Sequence, residues 1–171
     1  MHPRASAYIK VLNLLPHPEG GFYRETYRSE NTVMVHPTPG TKPVRSAAVR
    51  SASTAIYFLL EQGNFSAFHK IAYDEMWHFY AGDPLEVLEL QDSTALVSTT
   101  LGTDIFNGEV HQHVVKANTW FASRVARGGS FALVGCTVAP GFDFIDFCLG
   151  ERAELSNLFP RHSQTISELT R

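Results

Sequence analysis

Between Phe65 and Val87 the chain reads "FSAFHKIAYDEMWHFYAGDPLEV", which puts His69, Glu75 and His78 within ten residues of one another. Imidazole nitrogens and a carboxylate are donors that first-row transition metals accept. The same groups move protons at neutral pH when burial draws their pKa values toward 7. They also serve as a hydrogen-bonded polar pair lining a pocket that does neither. Three functions are therefore open: a metalloenzyme, a metal-free acid–base enzyme, and a binding module.

Strand parity sorts the three residues. If Glu75 faces an interior, Trp77 and Phe79 share its face, whereas His78 and Tyr80 point the other way unless a bulge intervenes. His69 and Glu75 are thus the candidate catalytic pair, His69 as base and Glu75 as its orienter or as the acid. Trp77, Phe79 and Phe121 would wall the cavity with aromatic surface, beside Ser123. Tyr27 and Tyr80 are further candidate donors. Asp143 and Asp146, read on one strand, fall on opposite faces, so at most one of them reaches the imidazole. His111 and His113 share a face of a later segment and form a reserve pair.

These residues must be held by strands. Apolar residues at Ile9, Leu12 and Leu15 make a helical stripe over Ala5–Leu15, stopped by Pro16 and Pro18. "GGFYRETYRS" (Gly20–Ser29) alternates bulky and polar side chains as a strand does, and "HPTPGTKP" (His36–Pro43) is a loop by composition. Strand patterns then follow at Ala55–Leu60, Phe65–Ile71, Met76–Ala81, Leu85–Leu90, Ala95–Leu101, His111–Val115, Trp120–Ala122, Phe131–Val138 and Phe142–Phe147. Many short strands with turn signals between them describe an antiparallel sandwich or barrel. The end of the chain returns to helical composition, broken at Pro160. No repeat or linker divides the chain, so residues 1–171 read as one domain.

Composition narrows the partners. With 171 residues, 44% hydrophobic and 18% charged, the chain has the makings of a globular core. No apolar run approaches the ~18 residues of a membrane span, and the start, "MHPRASAYIK", carries no secretory pattern. Cys136 and Cys148 lie in apolar runs and are expected as free thiols, so the chain reads as cytoplasmic. A net charge of -3 without a Lys/Arg block argues against nucleic acid as the main partner.

Gly63, His69, Glu75 and Gly82 are spaced as in the first motif of the cupin superfamily, G-x5-H-x-H-x3-E-x6-G, and the chain resembles that superfamily. The resemblance implies an all-β jelly-roll barrel with small flanking N- and C-terminal helices. Metal-binding cupins use three His and the Glu. Here Ile71 stands at the second His, and in "KANTWFASRV" (Lys116–Val125) Phe121 stands where the last His belongs. Two ligands of four remain, fewer than a stable site needs, so no metal cofactor is expected, with His69 and Glu75 as the pair any metal would use. "HPEGGFYRETYRS", "STAIYFLL", "DEMWHFYAGDPLEV" and "LVGCTVAPGFDFIDF" resemble stretches of the cupin-like family DUF985.

"EGGFYRETY" (Glu19–Tyr27) is similar to the first-strand signature of the dTDP-sugar 3,5-epimerases, D-x-R-G-F-F-x-E. That resemblance implies a ligand site built from Phe22, Tyr23, Arg24, Glu25 and Tyr27, in which an aromatic ring stacks on a nucleotide base and the Glu accepts from its edge. The signature's Arg is Gly20 here, so phosphate contacts fall to Arg24, Arg28, Arg45, Arg50 or Arg124. The function expected is a small-ligand-binding cupin, as a metal-independent isomerase or epimerase of a nucleotide-linked or phosphorylated sugar. The alternatives are a non-catalytic binding or sensor module and a metal-dependent cupin enzyme. Open strand edges further predict a twofold homodimer in which the first strand reaches the partner's pocket.

Overall fold

The structure, a computed structural model, describes residues 2–35, 48–91 and 95–171. Arg45 and the expected loop at His36–Pro43 lie outside the described residues. A helix, α1 (Pro3–Val11), opens the chain with Pro3 at its first position, where the missing N–H removes no hydrogen bond. The strands are β1 (Leu15–Pro16), β2 (Phe22–Arg28), β3 (Thr32–Val35), β4 (Ala48–Ser51), β5 (Thr54–Glu61), β6 (Phe65–Ile71), β7 (Glu75–Gly82), β8 (Leu85–Leu90), β9 (Leu96–Leu101), β10 (Gln112–Val115), β11 (Trp120–Val125), β12 (Phe131–Val138) and β13 (Phe147–Leu149). Two short helices follow, α2 (Arg152–Leu158) and α3 (Ser163–Glu168).

From β5 onward successive strands alternate between two sheets, apart from the β8–β9 pair. One runs β1-β2-β5-β12-β7-β10, the other β13-β6-β11-β8-β9, and β3 and β4 form a separate hairpin. All pairings between these strands are antiparallel. The expected all-β jelly roll is therefore what the chain forms. Between the sheets lies a core of Phe58, Leu60, Trp77, Leu85, Val87, Leu101, Val115, Phe121, Val125, Val134 and Cys136. The outer faces are covered by helices. Ala5 and Leu14 pack with Leu59, Phe131 and Leu133 on the six-stranded sheet. Leu155, Ile166 and Leu169 pack with Phe68, Leu88, Leu90 and Trp120 on the other. These covers explain why the strands are apolar on both faces over much of their length.

Three register slips interrupt the pairing; the one in β7 lies at Tyr80, beyond Glu75, and the other two decide what faces the cavity. Between Glu25 and Tyr27 the pairing of β2 with β5 slips by one residue: Glu25 opposes Ile56, and Tyr27 opposes Ala55. Thr26 is the extra residue. Strict alternation would keep Glu25 and Tyr27 on one face; the slip turns Tyr27 outward and brings Arg28 inward beside Glu25. A second slip, in β6 against β11, sets Ser66 opposite Ser123 and His69 opposite Phe121, so Ser66 and His69 share the inner face three residues apart.

The segment expected as a strand at Phe142–Phe147 is instead a turn. Asp143 accepts a hydrogen bond from the Ile145 backbone N–H (3.0 Å) and starts a 3-10 turn over Phe144–Asp146. Such local side-chain capping competes with strand pairing, and the strand proper begins at Phe147. Sequence alternation also passed over the β3–β4 hairpin, whose Val33, Met34 and Val49 are exposed.

Candidate functional site

One mouth of the barrel opens into a cavity of about 460 Å³. Its deep end is polar: Glu19, His17, His69, Glu75 and Cys136. Its walls are apolar: Tyr23, Ile56, Phe58, Val138 and the turn residues Phe142, Phe144 and Phe147. Glu25, Arg28, Thr54 and Asp143 complete the lining.

His69 comes from the β6 bulge and is 2% exposed. Its Nδ1–H donates to the Ala67 carbonyl (2.8 Å), which the bulge turns toward it. Its Nε2 lies 3.2 Å from Glu19 Oε2, and Phe121 covers its face with ring centroids 4.1 Å apart. Phe121 thus sits against the imidazole where the cupin motif has its last histidine, and Ile71 is buried in the position of the second. Asn118 adopts φ 62 at the place of the motif's glycine, one of the few residue types that tolerate it.

Glu19 reaches His69 from the turn before β2. Gly20 and Gly21 both have positive φ, and a Cβ on Gly20 would collide with the Phe65 carbonyl oxygen. Two glycines therefore let this turn lie against β6, where the Ala67 N–H donates to the Glu19 carbonyl (2.9 Å). The Glu19 side chain accepts from the Ser66 hydroxyl (2.8 Å) and lies 3.5 Å from His17 Nδ1. That nitrogen accepts the Glu19 backbone N–H (3.3 Å), so in the neutral ring Nε2 carries the proton. Burial raises the Glu19 pKa and lowers those of His69 and His17. Burial thus disfavours the charged form of each of these groups, and the Glu19 carboxyl and His69 Nε2 face each other within one hydrogen bond.

Glu75 stands on the facing sheet at the start of β7 and is 8% exposed. Burial raises its pKa to about 7; His69 and the Cys136 thiol pull it down, while Glu19 pushes it up. Burial and this carboxylate push the Cys136 thiol well up, so it is a protonated donor. Glu75 forms no ion pair with His69; the imidazole's direct partner is Glu19. Among the described residues no three His, Cys, Asp or Glu side chains converge so as to hold a metal ion.

The other residues expected at the site divide cleanly. Tyr23 and Glu25 line the cavity with His69 and Glu75. Phe22 instead packs outside the barrel with the residues beneath α1, because it opposes Leu59 on the outer face. Arg24 is on that face too, donating to the Leu12 carbonyl (3.0 Å). Tyr27 is 54% exposed, turned out by the bulge at Thr26. Trp77 and Phe121 are buried behind the cavity, in edge contact with each other, and Phe79 packs on the same core. Ser123 is fully buried near Ser66 and contributes no cavity surface.

His78 faces away from the cavity, between Thr137 (3.0 Å) and Gln112 (3.0 Å), as parity requires. His113 meets Glu89 at 2.6 Å, and His111 meets the Gly102 carbonyl, both away from His69. Asp143 reaches the cavity, whereas Asp146 is tied to Arg50 at 2.7 and 3.0 Å. Sequence reasoning missed His17 and Glu19; the paired glycines that follow them were the available signal, since they mark a close backbone approach.

Among the described residues, the guanidiniums proposed for phosphate are already engaged. Arg28 holds Glu25 through two hydrogen bonds (3.0 and 2.7 Å) and donates to the Phe142 carbonyl (3.1 Å). Arg124, on the other sheet, pairs with Glu86 of β8 and Glu168 of α3.

A jelly roll carrying its polar cluster inside one mouth, with the His and Glu of the first motif on consecutive strands, is the architecture of a cupin. The family model described as Cupin superfamily (DUF985) matches residues 6–150, and the chain belongs to that family. It is 38% identical to protein SO0799 from Shewanella oneidensis, with a TM-score of 0.84 over 98% of this chain and 97% of that one. A hypothetical protein from Leishmania major is 33% identical, also at a TM-score of 0.84, over 97% and 98% of the two chains. The Saccharomyces cerevisiae protein YML079W is 35% identical over 150 residues, 84% of this chain and 74% of the yeast protein.

Proposed function

We propose that this cupin is a metal-independent proton-transfer enzyme of the isomerase or epimerase kind, acting on a small carbonyl compound bound in the barrel mouth. The observation that carries the reading is the pairing of two separate proton stores on facing sheets. One is Glu75, with a pKa of about 7; the other is the Glu19–His69 pair. Isomerisation beside a carbonyl requires a base to remove a proton from carbon and an acid to return one, and a group titrating near the working pH can do either. Ionised Glu75 acts as the base. The Glu19 carboxyl, when protonated, supplies the acid by donating directly to the substrate; His69 Nε2 holds it in place, and the two carboxyl groups reset by proton exchange with water.

The test is solvent exchange. A panel of small ketones, aldoses and ketoses, each free and nucleoside-diphosphate-linked, is incubated with protein in D2O and followed by proton NMR. Deuterium should enter at the carbon next to the carbonyl, and both Glu75→Gln and His69→Gln should slow it by ~100-fold or more, the usual scale of acid–base catalysis. Exchange that survives both substitutions would overturn the proposal. A non-catalytic binding module is the second reading, favoured by one observation: both ring nitrogens of His69 already have partners.

A further inference from the structure

We infer that Glu25 makes the cavity selective for uncharged ligands by keeping Arg28 occupied, so that the site takes a flat, neutral carbonyl or hydroxyl compound and excludes phosphates. The inference rests on the cavity being the ligand site and names the ligand class for it.

The argument starts from the charges that reach the lining. Arg28 is the one Lys or Arg among the described lining residues, against four carboxyl groups, Glu19, Glu25, Glu75 and Asp143. Glu25 occupies its fork at Nε and Nη2, and the same Nη2 donates to the Phe142 carbonyl. Asp143 adds a second negative charge that acts on it. A diphosphate entering the mouth would therefore have to break a two-point Arg–carboxylate pair and then sit beside the carboxylate it displaced. Planar two-point pairing is the geometry in which Arg holds a phosphate best, and here it is spent on Glu25.

The remaining surface suits a neutral molecule. The Tyr23 hydroxyl has no hydrogen-bond partner among the described residues, and the proton on His17 Nε2 has none either. These are donors for a carbonyl or hydroxyl oxygen. The rings of Phe142, Phe144 and Phe147 contact one another edge to face, with centroids 5.0 to 6.4 Å apart, and offer a flat body an apolar slot. The bulge at Thr26 puts Glu25 and Arg28 together on the inner face, so the selectivity device is built into the strand.

The experiment measures binding without turnover, by ligand-observed NMR and calorimetry. Thymidine, thymidine diphosphate, inorganic pyrophosphate and a matched fragment set of neutral, carboxylate and phosphate members are titrated into wild type and Glu25→Gln. Wild type should bind members of the neutral set saturably, with thymidine diphosphate and pyrophosphate at least tenfold weaker than the best of them. Glu25→Gln frees Arg28 and should tighten pyrophosphate at least tenfold. Glu25 is about two-fifths exposed at its side chain, so the variant should fold. Wild type that prefers phosphates, a neutral set with no saturable binder, or a variant that gains nothing for pyrophosphate each overturns the inference. Loss of solvent exchange with this binding pattern intact would instead count against the catalytic reading alone.

Discussion

Glu75 should make the protein less stable as pH rises, and Glu75→Gln should abolish that contribution. Its folded pKa of about 7 lies above the ordinary 4.5. The folded state therefore holds a proton between these values where the unfolded chain has released it. The contribution is full below pH 4.5 and is lost as pH climbs through 7. Each pKa unit corresponds to about 1.4 kcal/mol, so the difference across that window is about 3 kcal/mol. For a chain of this length that is roughly 6–12 °C in Tm. Three groups act on the carboxyl, His69, Glu19 and Cys136, and His17 shares the cavity with it. Glu19, also raised, acts in the same direction; His69 and His17, both lowered, destabilise on the acid side, so wild type alone gives a mixed profile. Subtracting the variant isolates Glu75. Thermal melts of both proteins at pH 5 and pH 8.5 should show a Glu75→Gln advantage that grows by roughly 5 °C or more toward the higher pH. An advantage independent of pH, or one that shrinks, would refute the reasoning.

Arg50→Met should cost about 3–5 kcal/mol in urea unfolding, because it strands Asp146, whose side chain is 1% exposed, without its partner. The double variant Arg50→Met/Asp146→Leu should recover much of that loss, and a double variant as weak as the single would refute the buried-charge account. We also expect a twofold homodimer: β1 covers β2 only at Phe22 and Tyr23, leaving its edge from Arg24 to Arg28 without a strand partner among the described residues, and Leu15, Tyr27 and Met34 are exposed nearby in sequence. Light scattering at micromolar concentration should give twice the chain mass; a monomer would refute it.

Much of the fold is legible because burial writes itself into strands. β6, β8 and β12 begin and end where the apolar runs do, and the parity that separates Glu75 from His78 holds in β7 from Glu75 to Phe79, ahead of a register slip at Tyr80. The replacement of two histidines by Ile71 and Phe121 is equally readable, since both fill space beside the retained pair. What escaped was everything that depends on a single extra residue. A bulge leaves the polarity pattern nearly intact and reverses which side chains face inward. The resemblance of the first strand put Tyr27 at the ligand site and offered Arg28 only as one of several phosphate contacts, whereas the slip at Thr26 turns Tyr27 outward and Arg28 inward. Glu19 escaped for a different reason: it sits in a turn, and its partner His69 is 50 positions away in the chain, a contact that local periodicity does not encode.

The cluster's cost is the strongest sign that it is more than packing. A jelly roll can close its interior with apolar side chains, as this one does around Trp77, Phe58 and Phe121. At the mouth it instead buries two carboxyl groups and two imidazoles around open space, each disfavoured in its charged form by desolvation. A glutamine at position 75 would fill the same volume without the pH-dependent destabilisation. The Glu19 carboxyl needs only Ser66 and His69 to be satisfied, and gains nothing structural from standing near a second acid. Strain of this kind concentrates at working sites. Here the β6 bulge and the Gly20–Gly21 turn bring His69 and Glu19 together across the cavity from Glu75.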